Sequence, residues 1–254
     1  MDKGTPLSSI AAGRATANDG GSNGKGEGVA STANSLKRKI LANEPSYVFS
    51  MRMSRTVNIV ALAEASGYDG LYVDLQHSSI DLDTAAQIFQ TGLLSDITVF
   101  ARVPSLEPGM IGRLMDAGAM GILAPDVRSG EDARFLVKAA LIAPKGERSV
   151  GSGIPNPRFR DVPGAALADR INQATLLIAM IETPEGVAAA EDIAAVEGID
   201  AVEIGNNDLT TAMDIPNQYD HEMISALPMQ GADPSCGSAL ASARYARQRH
   251  RRMR

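Results

Sequence analysis

The chain has 254 residues, 44% of them hydrophobic and 4% aromatic, with a formal net charge of -6. That length fits one α/β barrel or two small domains. The single cysteine, Cys236, excludes an internal disulfide framework and fits a reducing compartment. There is no apolar run long enough to span a bilayer and no apolar secretory-signal core at the N-terminus, so the sequence reads as a soluble, cytoplasmic protein. The charge is unevenly spread: +3 over residues 1–39, -13 over residues 40–221 and +4 over residues 222–254. An acidic middle argues against broad nucleic-acid binding by the folded part.

Residues 1–34 are rich in Gly, Ser, Ala, Asn and Thr and show no apolar periodicity, which predicts a disordered head. From about Ser35 short apolar runs alternate with amphipathic stretches. Strands are predicted over Tyr47–Ser50, Gly70–Asp74, Ile97–Arg102, Gly121–Ala124, Leu176–Glu182 and Ala201–Ile204. Helices are predicted over Thr56–Ser66, Asp83–Leu94, Gly109–Ala117, Glu131–Ile142 and Pro184–Val196. Gly67, Gly118 and Gly198 each follow a helix and precede a strand, where a left-handed cap is expected. The alternation implies an α/β protein with parallel strands and helical crossovers, a TIM-type (β/α)8 barrel with about six of its βα units visible. After Tyr219 the pattern stops, and residues 222–254 read as an Arg-rich tail without a convincing strand.

In such a barrel the active site forms where strands end and βα loops begin. The second strand ends in Asp74 and runs into Gln76 and His77; the third ends in Arg102; the fifth ends in Glu182; the sixth runs into Gly205-Asn206-Asn207-Asp208. Glu182 and Asp208 form a carboxylate pair suited to a hard cation such as Mg²⁺ or Mn²⁺; the plainer alternative is that both belong to helix caps. Arg102 closes an apolar strand, where it serves either to hold a developing oxyanion or to pair with one of the many carboxylates. His77 follows Asp74 by three residues, so a carboxylate can orient a general base; a lone loop histidine is the alternative. Asp116 ends a predicted helix, where its charge opposes the helix dipole, a weak functional signal. His221 and His250 have no such context.

The segments YVDLQH (72–77), FARVPS (100–105), MDAGAMGILAP (115–125), PKGERSVG (144–151), MIETPEG (180–186) and VEGIDAVEIGNNDL (196–209) together resemble the HpcH/HpaI aldolase family, class II pyruvate aldolases related to citrate lyase β-type barrels, over about Ser35 to His221. The resemblance implies a lyase that reversibly cleaves a 4-hydroxy-2-oxo acid to pyruvate and an aldehyde. It implies a divalent metal on Glu182 and Asp208, Mg²⁺ or Mn²⁺ ahead of Co²⁺ or Zn²⁺, which chelates pyruvate. It gives Arg102 the enolate oxygen, the backbone near Asn207 the substrate carboxylate, and His77 the acid/base role with Asp116 raising its basicity and Asp74 nearby. It also implies a homo-oligomer. Two positions depart from the bacterial pattern, Gln76 for Glu and Met180 for Gln.

Two other functions compete with the aldolase: a non-catalytic barrel remnant, and decarboxylation of oxaloacetate through the same pyruvate enolate. Polyanion binding by Arg244–Arg254 is disfavoured, because Tyr245 is the only aromatic among those arginines. Six parallel strands cannot close a barrel of this kind, which predicts open edges on the first and sixth strands and poor solubility or activity of the 254-residue chain alone.

Overall fold

The computed structural model describes residues 34–151, 153–159, 163–219, 221 and 238–242, the last segment by its backbone. The disordered head expected over 1–34 and most of the tail expected over 222–254 lie outside the described residues; Asn34 and Ser238–Ser242 are the exceptions. The strands are β1 (Val48–Met51), β2 (Gly70–Asp74), β3 (Thr98–Arg102), β4 (Gly121–Ala124), β5 (Leu176–Ile181), β6 (Ala201–Gly205) and β7 (Ser238–Ser242). They form one sheet in sequence order, parallel from β1 to β6. The helices are α1 (Ser35–Ala42), α2 (Asn58–Ala65), α3 (Leu82–Gly92), α4 (Pro108–Asp116), α5 (Gly130–Ala140), α6 (Gly164–Ala174), α7 (Pro184–Ala188), α8 (Ala190–Ala195) and α9 (Asn206–Ala212). Six parallel strands with helical crossovers make the curled, open part of a TIM-type barrel. No helix among the described residues is long and apolar enough to cross a membrane.

Alternation along each strand sorts its side chains into two cores. Leu71, Val73, Val99, Ala101, Ile122, Leu177, Ala179, Val202 and Ile204 pack outward against the helices. Phe100, Leu123, Leu176, Ile178, Met180 and Ala201 point to the concave side and meet Leu36 and Ile40 of α1. Helix α1 therefore plugs the end of the sheet where strands begin. Its N-cap Asn34 accepts from Lys37 N at 2.9 Å and donates to Met120 O at 3.0 Å and Ala174 O at 2.9 Å, just ahead of β4 and β5. Lys37 adds an ion pair with Asp200 at 3.0 Å, just ahead of β6.

Three sequence expectations change. The helix expected over Pro184–Val196 is two, α7 and α8, interrupted at Ala189 (φ -93°, ψ 5°). Helix α6 was not anticipated; its Leu167, Ala168 and Ile171 form a small separate core with Ile142 and Ile154. The tail expected to lack a strand contains β7, which pairs antiparallel with β6 in the register Ala201↔Ser242 to Gly205↔Ser238. The edge of the sixth strand is thus covered. Among the described residues β1 pairs only with β2. The three glycines expected at left-handed caps have φ of +83° (Gly67), +109° (Gly118) and +104° (Gly198).

Candidate active site

The strand ends that the sequence marks as polar do converge. Asp74 is fully buried at the end of β2 and lies in register with Arg102 at the end of β3, itself 5% exposed. Arg102 donates to Asp74 through Nε (2.9 Å to Oδ1) and through Nη2 to Oδ2. Burial alone pushes the Asp74 carboxyl up, but the Arg102 pair, the His77 amide and Arg52 outweigh it and hold it at about 2. Burial works against the Arg102 charge in the same way, and the Asp74 bonds more than restore it. Of the two expectations for Arg102, the ion pair is present in the structure, and among the described residues its Nη1 has no hydrogen-bond partner. The guanidinium also lies 5.7 Å from the Tyr72 ring centroid, within cation–π range.

Asp74 also shapes the loop that follows. Its Oδ1 accepts from the backbone amides of Gln76 (3.1 Å) and His77 (3.0 Å), and its backbone oxygen accepts from Ser78 Oγ. The carboxylate thus positions His77 through the main chain, and the imidazole side chain is left exposed at the strand end.

Glu182 follows β5 and is 6% exposed. Its Oε2 accepts from the backbone N–H of Asp126 at 2.9 Å, across from the end of β4. Burial, above all, and the charges of Asp208 and Asp126 push its carboxyl up to about 7, against the opposing pull of the Asp126 amide and Arg102. The side chain lies over Gly205: a Cβ there would come within 2.6 Å of Glu182 Cγ and 2.7 Å of Oε1. Only glycine at the end of β6 lets Glu182 lie beside the first turn of α9, which carries Asp208. Neither carboxylate is the N-cap residue of a helix, although Asp208 lies in the first turn of α9, whose N-cap is Gly205. Thr183, not Glu182, caps α7 with a side-chain bond to Gly186 N at 3.2 Å, and α9 has no side-chain cap bond. Asn207, in the same first turn, accepts from Tyr219 Oη at 2.5 Å through its side chain.

Asp116 stands apart from this group. A helix that follows a parallel strand runs back towards the strand's beginning, so the last residue of α4 lies at the foot of the sheet, opposite to the strand ends. Met120 confirms the direction: its N–H bonds Val99 O at 2.9 Å and its carbonyl accepts from Asn34, the cap of α1. Among the described residues the side-chain partner of Asp116 is Arg148, at 2.6 Å. Within one chain Asp116 does not meet His77.

Two residues at the site were not singled out from sequence. Arg52, one residue past β1, donates from Nε to Asp74 Oδ2 at 2.7 Å. Asp126, two residues past β4, has φ +52°, presents its amide to Glu182, and is held by Arg128 at 2.8 and 2.9 Å. The strand runs one residue past the expected Ser50, which brings Arg52 to its end, and the polar end of β4 is Pro125-Asp126.

Comparison with known proteins places the chain in a family. The HpcH/HpaI aldolase/citrate lyase family description matches residues 50–246, past the His221 limit drawn from the motifs. A 4-hydroxy-4-methyl-2-oxoglutarate aldolase of Hapsidospora irregularis is 35% identical over 196 residues, covering 74% of this chain and 72% of that one. A hydroxypyruvate/pyruvate aldolase of Agrobacterium fabrum is 31% identical over 195 residues, covering 76% and 72%. The crystal structure of an HpcH/HpaI aldolase from Desulfitobacterium hafniense superposes with a TM-score of 0.71 at 29% identity, covering 75% of this chain and 73% of that one. With the strand-end motifs in order, the fold shared and most of the chain matched, this protein belongs to the HpcH/HpaI aldolase/citrate lyase family of carbon–carbon lyases.

Proposed function

We propose that the protein cleaves a 4-hydroxy-2-oxo acid to pyruvate and a carbonyl compound, with a divalent metal held by Glu182 and Asp208. The observation that carries the reading is the pairing of two like charges, one of them buried, with a guanidinium on the strand between them and β2. Glu182 is raised to about 7 by burial and by its neighbours Asp208 and Asp126, an arrangement a cation relieves. Among the described residues no three or more His, Cys, Asp or Glu side chains group to hold a metal. Two carboxylates with the remaining positions left to water and substrate suit an oxygen-preferring ion such as Mg²⁺ or Mn²⁺. When bound, the cation supplies a Lewis acid at the keto oxygen.

The chain's own residues do the rest. Arg102, kept charged and oriented by Asp74, donates to the oxygen on which negative charge develops as the carbon–carbon bond breaks. His77, held at the loop by the Asp74 carboxylate, takes the proton of the C4 hydroxyl. The backbone of the first turn of α9 at Asn207 holds the substrate carboxylate. Asp116 can raise the basicity of His77 only from a second copy of the chain, in the homo-oligomer that the resemblance implies. A reducing, cytoplasmic setting matches the single cysteine.

Oxaloacetate decarboxylation shares the enolate but has no hydroxyl proton to remove. His77→Ala is therefore expected to lower pyruvate release from a 4-hydroxy-2-oxo acid by about two to four orders of magnitude, and release from oxaloacetate far less. Equal losses in a coupled pyruvate assay would remove His77 from the proton step.

A further inference from the structure

We propose that Asp126 is a positioning residue for the cation site and acts through its backbone conformation rather than its charge: a left-handed turn at this residue aims the amide that fixes Glu182. This rests on the cation proposed above at Glu182 and Asp208.

Successive N–H groups along an extended strand point to opposite sides. Past the end of β4 they do not. Asp126 N–H donates to Glu182 Oε2 at 2.9 Å, and Val127 N–H donates to Met180 O at 2.9 Å, so two consecutive amides both face β5 and the residue that follows it. The φ of +52° at Asp126 turns the two amides the same way, as in a backbone nest. Aspartate and asparagine tolerate this left-handed conformation better than most side chains, and β-branched residues tolerate it least.

The turn is held from several sides. Val127 is fully buried, and its carbonyl lies 2.9 Å from where a Cβ on Gly186 would stand, so α7 packs directly against it. Arg128 takes both oxygens of the Asp126 carboxylate, Nε to Oδ1 at 2.8 Å and Nη2 to Oδ2 at 2.9 Å. The Arg128 amide is itself anchored on Asp132 Oδ2 at 3.0 Å, at the start of α5. Backbone strain persists only where its surroundings hold it in this way, and it collects at functional sites.

The strain is spent on the orientation of Glu182. Its Oε2 is tied back to the end of β4. Its Oε1 has no hydrogen-bond partner among the described residues and lies 2.7 Å from where a Cβ on Gly205 would stand, at the start of α9. One oxygen is thereby fixed and the other is presented beside the turn that carries Asp208. A carboxylate already held this way does not have to be ordered by the cation it binds. The Asp126 charge adds little, because Arg128 neutralises it and the pair is half exposed and screened.

Calorimetric titration of Mn²⁺ into the metal-free 254-residue chain tests conformation against charge. Asp126→Gly and Asp126→Asn both remove the carboxylate and keep the left-handed turn accessible, whereas Asp126→Val removes the carboxylate and disfavours the turn. Asp126→Gly and Asp126→Asn are expected to bind Mn²⁺ within about threefold of the native chain, and Asp126→Val about 10- to 100-fold more weakly, the usual cost of losing a group that orients a metal ligand. Should Asp126→Val not unfold cooperatively, Asp126→Ala takes its place, with binding expected about three- to tenfold weaker than in Asp126→Gly. Losses in Asp126→Gly and Asp126→Asn as large as in Asp126→Val would assign the effect to the charge and overturn the proposal, as would native affinity in Asp126→Val or, in its stead, in Asp126→Ala. A native chain that binds no Mn²⁺ removes the cation itself and this role with it, a result distinct from Mn²⁺ binding that is indifferent to the turn.

Discussion

Asp74→Asn is expected to destabilise the protein by about 3–5 kcal/mol, because it leaves the buried Arg102 charge without its carboxylate. Asparagine is nearly the same size, so packing hardly changes; what is lost is the charge that two guanidinium groups share. Against a typical domain stability of about 5–15 kcal/mol this is a large fraction. The loop carrying His77 would loosen as well, since Asp74 Oδ1 accepts both the Gln76 and His77 amides. The pH dependence has a definite sign. Asp74 sits at about 2 against 3.8 for an unperturbed aspartate, so its contribution is present above 3.8 and is lost as the pH falls towards 2. Denaturant unfolding at pH 7 and pH 3 measures both effects. A midpoint at pH 7 unchanged in Asp74→Asn would mean that Arg102 finds other compensation.

Glu182→Gln is expected to act in the opposite direction on stability while removing metal binding. Glu182 is raised from 4.5 to about 7, so the folded chain favours its neutral form. Its contribution is complete below pH 4.5 and is lost as the pH rises through about 7; the shift corresponds to about 3 kcal/mol. Without metal, the native protein should therefore melt higher at pH 5 than this group permits at pH 8, and Mn²⁺ should restore the difference at pH 8. Glu182→Gln should lack this part of the pH slope and show no response to Mn²⁺. Such a gain in bare stability with a loss of function is the expected trade at a site built from like charges. Thermal unfolding of both proteins at the two pH values, with and without Mn²⁺, decides it. A native melting temperature indifferent to Mn²⁺ at pH 8 would argue against a cation between Glu182 and Asp208.

Much of this was legible from the sequence because parallel strands are buried on both faces and so read as apolar runs. A polar residue that ends such a run stands out, and Asp74, Arg102 and Glu182 were found that way. The bounds of Gly70–Asp74 and Gly121–Ala124 came out as read. What stayed hidden depends on contacts distant along the chain. Helix α1 is short, and its place under the sheet is set by Asn34 reaching Met120 and Ala174, 86 and 140 residues away. Strand β7 reads SALAS, with no β-branched or aromatic residue to mark it, and its pairing with β6 supplies the strand. Asp116 was grouped with His77 by resemblance, although the direction of a crossover helix sends it to the foot of the sheet. Arg52 escapes notice because Met51, inside β1, and Ser54 and Arg55 beyond it carry no pattern that marks where the strand ends.

Pyruvate-forming cleavage here is proposed to depend on a cation held by two strand-end carboxylates, Glu182 and Asp208. The most direct measurement is pyruvate release from 4-hydroxy-4-methyl-2-oxoglutarate by the full 254-residue chain, with Mg²⁺ or Mn²⁺ added and then with excess chelator, beside Asp208→Ala. Release is expected to be abolished by chelator, restored by added Mn²⁺, and lowered at least about a thousandfold in Asp208→Ala, as when a metal that stabilises the developing charge is lost. Undiminished release in excess chelator, or from Asp208→Ala, would contradict that dependence.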